Sequence, residues 1–171
     1  MDINLTGVFN GVSAFAAGMR ARGRGHIVNT ASFAGFYPFA ASRVHYAACK
    51  AGVLSMSENL ALYLMPMGIK VSCLLPGPVM TTSIGSMKEF SENYTMRAPG
   101  SHLWVKSQHD CARILSDGME AGRILIPTHD EGWESIKERA ADPDAWIAKK
   151  NAEYLAGDPG KPGITQDVID S

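Results

Sequence analysis

A tyrosine, a lysine and a serine are spaced in a way that could carry acid–base chemistry. Tyr46 and Lys50 stand four residues apart in "YAACK", and on a helix two side chains at that spacing share a face. A phenol is a poor base near pH 7 because its ordinary pKa is about 10, but a nearby ammonium lowers that pKa. The pair could therefore serve general acid–base catalysis, although the same spacing also arises by chance between two polar residues on a helix surface. The Ser32 hydroxyl could hydrogen-bond a substrate oxygen as its charge develops.

Alternating helices and strands are predicted to position these residues. The predicted elements are, in order, a helix at 2–22, a strand at 26–32, a helix at 42–67, a strand with a Pro-Gly turn at 68–78, a helix at 108–121, a strand at 122–128 and a helical segment at 131–156. This order predicts an α/β fold with a parallel sheet and right-handed crossovers. Three strands make only a partial doubly wound sheet, whose edge strand would need a neighbour that the sequence lacks.

Composition excludes several classes of function. The formal net charge of −1 argues against a nucleic-acid or anionic-membrane partner, and no apolar run reaches the length of a membrane span. The three cysteines, Cys49, Cys73 and Cys111, form neither a disulfide framework nor a metal-ligand pair, and they suit a reducing, cytoplasmic location. The five histidines have no metal-site spacing, so no metal is predicted.

Four stretches together resemble the short-chain dehydrogenase/reductase family, in its simple, non-extended branch. They are "INLTGVF", "GHIVNTASFAG", "YAACKAGV" and "PGPVMT", and the resemblance covers about residues 1–128. It implies a Rossmann-like fold and an NAD(P)-dependent oxidoreductase that interconverts a secondary alcohol and a ketone. By the same resemblance, Tyr46 is the acid/base, Lys50 lowers its pKa, Ser32 orients the substrate oxygen and Asn4 holds a water of a proton relay.

The resemblance also implies which residues bind the cofactor, NAD or NADP. These are Tyr46, Lys50, Pro76, Gly77, Val79 and Thr81. Plainer roles remain open for three of the catalytic residues. Tyr46 could be a core residue with its hydroxyl satisfied, Ser32 could be a turn residue at a strand end, and Asn4 could be a helix cap.

The sequence departs from the family at its start and at its end. The Gly-rich turn G-x-x-x-G-x-G and the N-terminal nucleotide-binding strands are absent, so the chain resembles the catalytic half only and looks like a sequence entered in the middle. Residues 1–128 would form this catalytic half, and 129–171 a C-terminal helical extension with a mobile tail. The alternative function is a truncated, catalytically silent fragment that folds through helix-mediated oligomerisation and does not bind nucleotide alone.

Aromatic and apolar residues near the predicted site suggest a hydrophobic substrate. The candidate pocket residues are Phe33, Phe36, Tyr37, Met80 and Ile84. The same residues could instead pack the segment at 80–108 onto the body of the protein. The helix at 42–67 is apolar on nearly all sides, and the family commonly pairs through two equivalent helices. We therefore expect a homodimer or homotetramer through the helices at 2–20 and 42–67.

Overall fold

Helices and strands alternate along the chain as the sequence predicts. A computed structural model describes residues 1–39, 43–81, 97–158, 160–161 and 163–169. A π-helical turn, Asp2–Thr6, leads into the first helix. The elements are α1 (Gly7–Arg22), β1 (Gly25–Thr30), α2 (Val44–Leu64), β2 (Ile69–Leu75), α3 (Gln108–Glu120), β3 (Leu125–Pro127), α4 (Gly132–Ala141), α5 (Pro143–Leu155) and α6 (Gln166–Ile169).

The three strands form one parallel sheet in the order β1-β2-β3. Gly25 pairs with Ile69 at one end of the β1–β2 ladder, and Leu75 pairs with Pro127 at the carboxyl end of β2 and β3. Within the described residues β1 pairs on one edge only. The predicted partial doubly wound parallel sheet is therefore confirmed.

Strand β2 lies at the centre of the core. Of its seven residues, five are buried, and Cys73 and Leu75 are fully enclosed. Helix α2 covers the sheet with a buried face that includes Val53. A polar contact fixes this packing, because buried Asn29 of β1 donates from Nδ2 to Ser57 Oγ at 3.0 Å. The Ser57 hydroxyl donates in turn to the carbonyl oxygen of Val53 at 2.7 Å, so each of these buried polar groups has a partner.

The outer surfaces of α1 and α2 remain strongly apolar. Helix α1 has no fully buried residue, and the exposed fractions of Phe9 and Phe15 are 58% and 67%. On α2, Leu62 is 79% exposed although Ala61 and Leu64 beside it are buried. Helix α2 is thus covered by the sheet on one side and presents apolar side chains on another.

The C-terminal helices pack onto the segment that follows β1. A Cβ atom at Gly132 would lie 2.5 Å from Cζ of Phe33, so α4 begins directly against that ring. Trp146 of α5 packs edge-on against Tyr37, with ring centroids 5.9 Å apart. The tail, for which the sequence predicts mobility, is also partly packed: the Gly163 carbonyl accepts a hydrogen bond of 2.7 Å from the backbone N–H of Val105.

The segment after β1 approaches the backbone of α2 so closely that a side chain at position 35 would not fit between them. A Cβ atom at Gly35 would lie 2.5 Å from the carbonyl carbon of Lys50 and 2.6 Å from the backbone nitrogen of Ala51. Backbone atoms of a helix cannot move aside as a flexible side chain can. Gly35 therefore allows the turn that follows Ser32 to rest on the helix that carries Tyr46 and Lys50.

We predict that Gly35→Ala separates this turn from α2. Overpacking of this kind costs about 1–3 kcal/mol, which corresponds to a fall in Tm of about 5 °C for a chain of this size. Thermal unfolding followed by circular dichroism measures the change. Gly18→Ala in α1 is the control, because its nearest neighbour is the movable guanidinium of Arg22 at 3.2 Å. An equal Tm for the two variants would contradict the prediction.

Candidate active site

Tyr46 and Lys50 share one face of α2, as the sequence predicts. The Lys50 Nζ atom lies 5.7 Å from the centroid of the Tyr46 ring and donates a hydrogen bond of 2.9 Å to the carbonyl oxygen of Thr30, the last residue of β1. Burial lowers the pKa of the Lys50 ammonium, while Cys73 and Cys49 act in the opposite direction. The ammonium uses one of its three protons on Thr30 and keeps two for other acceptors.

Ser32 lies two residues beyond the end of β1 rather than within it. The strand ends at Thr30, and Ser32 is the N-cap of a short 3-10 turn, Phe33–Gly35. Its Oγ atom accepts a hydrogen bond of 3.2 Å from the backbone N–H of Ala34 and lies 3.5 Å from the carbonyl oxygen of Pro76. The latter distance is too long for a strong bond, so the hydroxyl proton can turn to another acceptor. The capping role and a role towards substrate are therefore compatible.

Asn4 lies in the π-helical turn and is exposed. The next residue, Leu5, packs on α2: a Cβ atom at Gly52 would lie 3.0 Å from Leu5 Cδ1. Gly52 follows Lys50 by two positions, so the turn that carries Asn4 rests beside the lysine-bearing part of α2. The relay role of Asn4 stays a prediction.

The predicted cofactor turn leaves the carboxyl end of β2. The Pro76 carbonyl accepts a hydrogen bond of 2.9 Å from the Phe33 N–H, which joins this turn to the Ser32 segment. Val79 pairs with Lys106, and Thr81 is half-buried at the end of the described stretch. The Gly77 N–H donates to Thr128 Oγ1 at 2.9 Å. The turn is thus held by partners in the segments that follow β1 and β3 and in the segment before α3, and its cofactor role stays a prediction.

Thr128 and His129, which hold Gly77 in place, are not among the residues that the sequence predicts for the site. Both residues are buried at the end of β3, and His129 is only 1% exposed. The imidazole Nε2 lies 2.6 Å from the carbonyl oxygen of Trp104, and Nδ1 lies 2.8 Å from Thr128 Oγ1. A Cβ atom at Gly77 would meet Nδ1 at 2.6 Å, so the ring lies directly against the turn. Their position after a strand, at the sheet edge that carries Ser32, could have signalled them.

The hydrogen bonds of His129 and its burial together favour the neutral imidazole. A carbonyl oxygen only accepts, so Nε2 carries a proton and donates to Trp104. In the neutral imidazole Nδ1 is unprotonated, so it accepts from the Thr128 hydroxyl, whose oxygen accepts in turn from the Gly77 N–H. Burial lowers the pKa of His129 and Lys106 lowers it further; the Trp104 carbonyl, Glu131 and Asp130 oppose this. The neutral ring thus completes a chain of three hydrogen bonds from Gly77 to Trp104.

The five predicted pocket residues lie in different surroundings. Phe33 is 1% exposed, and Phe36 is half-buried with its ring 5.4 Å from that of Trp133 in an edge-on arrangement. Tyr37 is buried and lines a cavity, Met80 is half-buried, and Ile84 lies outside the described residues. Their contact with substrate stays a prediction.

Two classes of feature are absent from the described part of the chain. No group of three or more His, Cys, Asp or Glu side chains is arranged to hold a metal ion there. None of its helices combines the length and the apolar character that crossing a membrane requires.

We predict that protonation of His129 destabilises the fold. Because the native pKa of His129 lies below its ordinary value of 6.5, the unfolded state binds more protons at mildly acidic pH. The stabilisation of the fold by neutral His129 is complete above the ordinary pKa and is lost as the pH falls below it. Urea unfolding at pH about 7.5 and about 5.5 should show a loss of about 1 kcal/mol from this residue.

His129→Gln is the variant that isolates this contribution. Its free energy of unfolding should vary less between the two pH values than that of the wild-type protein. His26, whose pKa is also lowered by burial and by Lys70, contributes with the same sign to both proteins and cancels in the difference. An unchanged pH dependence would show that His129 does not titrate in this way.

Comparison with known proteins places this arrangement in a family. The family profile described as short chain dehydrogenase matches residues 1–92. Over 81 residues the chain is 41% identical to 3-alpha-(or 20-beta)-hydroxysteroid dehydrogenase of Mycobacterium bovis, covering 47% of this chain and 31% of that protein. Over 170 residues it is 28% identical to oxidoreductase UcpA of Escherichia coli, covering 99% of this chain and 54% of that protein.

A solved structure gives the same result. The short chain dehydrogenase/reductase from Burkholderia phymatum in complex with NAD superposes with a TM-score of 0.65 at 26% identity, covering 83% of this chain and 56% of that one. The chain therefore spans about a third to a half of the length of the proteins that it matches. The profile match covers more than half of the chain, and the chain belongs to the short-chain dehydrogenase/reductase family.

Proposed function

We propose that the protein is an oxidoreductase that interconverts a secondary alcohol and a ketone with NAD or NADP. The observation that carries the proposal is the arrangement of Tyr46 and Lys50. The ammonium lies 5.7 Å from the phenol ring and is anchored on the carbonyl of Thr30, beside the segment that begins with Ser32. A phenol next to an ammonium is suited to exchange a proton with a carbinol oxygen.

Each residue has a defined task in this proposal. The nicotinamide, when bound, accepts or delivers the hydride. The Tyr46 oxygen takes the proton from the alcohol during oxidation and returns it during reduction. Ser32 donates a hydrogen bond to the substrate oxygen, which stabilises the charge that develops there. Lys50 holds the nicotinamide ribose beside Tyr46, and Asn4 supports a water that carries the proton onward.

The donor set fits the nicotinamide half of the cofactor. Lys50 retains two N–H donors for ribose hydroxyls beyond the one that it gives to Thr30. Tyr46 is on the same face, and the Pro76–Thr81 turn leaves the neighbouring strand at the sheet edge where such ligands bind. Pro76, Gly77, Val79 and Thr81 would contact the nicotinamide and the diphosphate.

A hydrophobic substrate is part of the proposal. The relative from Mycobacterium bovis is named for hydroxysteroids, which are bulky secondary alcohols. Phe36 and Met80, both half-buried near the Ser32 segment and the cofactor turn, are candidates for the pocket wall. We also propose a cytoplasmic location, which is supported by the three free cysteines.

The second candidate function is a catalytically silent fragment that folds by assembly and does not bind nucleotide alone. Two observations favour it: β1 pairs on one edge only within the described residues, and α1 and α2 expose large apolar side chains. Titration of the chain with NADH and NADPH, followed by fluorescence, separates the candidates. Saturable binding supports the oxidoreductase, and its absence supports the silent fragment.

We predict that Tyr46→Phe abolishes turnover while nucleotide binding is retained. Loss of a positioned acid/base lowers the rate by about 10²–10⁴-fold, and the ring itself is preserved. The assay follows NAD(P)H absorbance with a hydroxysteroid or another bulky secondary alcohol, in a form of the protein that binds nucleotide. Tyr63→Phe, on the exposed part of the same helix, is the control. Activity above a few per cent in Tyr46→Phe would remove Tyr46 from its role.

The exposed apolar faces of α1 and α2 support a homodimer or homotetramer. Phe15 and Leu62 are 67% and 79% exposed, and burying two such side chains would contribute about 1.5–3 kcal/mol each. We predict that Phe15→Glu together with Leu62→Glu converts the assembly to a monomer. Light scattering coupled to size exclusion measures the mass, and Ile147→Glu on α5 is the control. A double variant that retains the wild-type mass would contradict this interface.

A further inference from the structure

The turn that leaves β2 has a single backbone donor in its first three residues. Pro76 and Pro78 carry no N–H, so only Gly77 can donate from the main chain there. The protein itself uses this donor, because it bonds to Thr128 Oγ1 at 2.9 Å. The position of Gly77 therefore depends on one side-chain hydroxyl, which stands just beyond β3.

The glycine at position 77 is required by His129 rather than by the backbone conformation. The φ of Gly77 is not positive, so other residue types could adopt the same backbone. A Cβ atom there would meet Nδ1 of the imidazole at 2.6 Å and Cε1 at 3.0 Å. The ring thus occupies the space that a side chain would take, and Gly77 and His129 fit together as a pair.

A second segment holds the other half of the turn. The Lys106 N–H donates to the Pro78 carbonyl at 3.1 Å, and the Lys106 carbonyl accepts from the Met80 N–H at 2.9 Å. Two residues earlier in this segment, the Trp104 carbonyl accepts from His129 Nε2 at 2.6 Å. His129 therefore links the segment that pairs with the second half of the turn to the hydroxyl that holds the first half.

Both side chains of this support are buried, and each of their polar atoms has a partner. Thr128 is 2% exposed and His129 is 1% exposed. Nδ1 of the imidazole lies 2.8 Å from the threonine hydroxyl, whose oxygen also accepts from the turn. Burial of polar groups is unfavourable, and apolar residues could fill the same space without that penalty. The hydrogen bonds towards the turn, rather than the packing, therefore account for these two residue types.

A turn held in this way suits a ligand that the main chain must meet in one geometry. It lies at the carboxyl edge of the parallel sheet, where the ligands of such sheets bind. We propose that Thr128 and His129 are positioning residues of the nucleotide site, which hold Gly77 so that the turn meets the nicotinamide half of NAD or NADP in a fixed position. The inference rests on the proposed function, which assigns this turn to the nucleotide. Loss of the support should weaken nucleotide binding more than it slows proton transfer at Tyr46 on α2.

Thr128→Val and Thr128→Ser test the support of the turn without any nucleotide. Valine keeps the shape of threonine and removes the hydroxyl, whereas serine keeps the hydroxyl. Amide hydrogen exchange of Gly77, measured by NMR in the nucleotide-free protein, should be about tenfold faster in the valine variant and close to wild type in the serine variant. Wild-type exchange in Thr128→Val would show that the hydroxyl does not hold Gly77 and would overturn the proposal.

Fluorescence titration with NADH and NADPH measures the effect on the nucleotide. Thr128→Val should raise Kd by about tenfold, and Thr128→Ser should restore it. His129→Gln, which loses the ring but keeps a donor for Trp104, should raise Kd in the same direction. In turnover assays Thr128→Val should raise the KM for nucleotide by about tenfold and lower kcat by less than about threefold. A fall in kcat with unchanged KM would contradict a positioning role.

Ser72→Ala is the control for a merely structural effect. Ser72 is as buried as Thr128, and its hydroxyl donates to the Arg123 carbonyl at 2.7 Å, so its loss should lower Tm by a comparable amount. It should leave Gly77 exchange and nucleotide affinity unchanged. An equal loss of affinity in Ser72→Ala would assign the effect to global stability and overturn the proposal.

The wild-type titration separates the two possible failures. If the wild-type protein binds neither NADH nor NADPH, the proposed function fails, and this inference fails with it. If the wild-type protein binds nucleotide and both Thr128→Val and His129→Gln bind it equally tightly, this inference alone is overturned.

Discussion

The hydrogen bond from Lys50 to the Thr30 carbonyl holds the proposed site together. It joins helix α2 to the carboxyl end of β1 at 2.9 Å, and a charged donor makes a stronger bond to a carbonyl than a neutral one does. Because Tyr46 stands one helical turn before Lys50, the same bond sets the height of the phenol above the sheet edge. The close approach of Gly35 to the Lys50 backbone then places the Ser32 turn against this part of the helix. The relative positions of the end of β1, the Tyr46–Lys50 part of α2 and the Ser32 turn thus depend on the anchored Lys50 ammonium.

The residues that could be predicted are those whose relation is local or follows from strand direction. Tyr46 and Lys50 are one turn apart on a single helix, so their common face needs no tertiary information. Ser32 and the turn at Pro76 each follow a parallel strand, and the carboxyl ends of parallel strands meet at one edge. The parallel direction of the three strands could be predicted as well, from the alternation of helices and strands along the chain.

Contacts that depend on long-range register could not be predicted. Gly77 and Thr128 are 51 residues apart, and their hydrogen bond exists because Leu75 of β2 pairs with Pro127 of β3. A strand of three residues contains too little pattern to specify that register. In the sequence, Thr128 is only the last residue of the strand predicted at 122–128, and His129 only the residue that follows it. The burial of His129 follows only once the segment with Trp104 closes over it.

Two clusters of buried polar side chains lie near the Ser32 segment, one around His129 and one at Tyr37 and Trp146. They differ in whether their donors have hydrogen-bond partners. Around His129 the donors and acceptors of three residues match one another, so the network needs nothing further and serves to hold Gly77. Around Tyr37 and Trp146 the rings pack well, yet the donors at their edges remain without partners. Since burial of an unpaired donor is costly and the fold could accommodate phenylalanine at Tyr37 with the same ring contacts, stability alone does not account for the hydroxyl. A satisfied network therefore marks a structural role, whereas the unpaired donors of Tyr37 and Trp146 reduce the stability that their ring contacts provide.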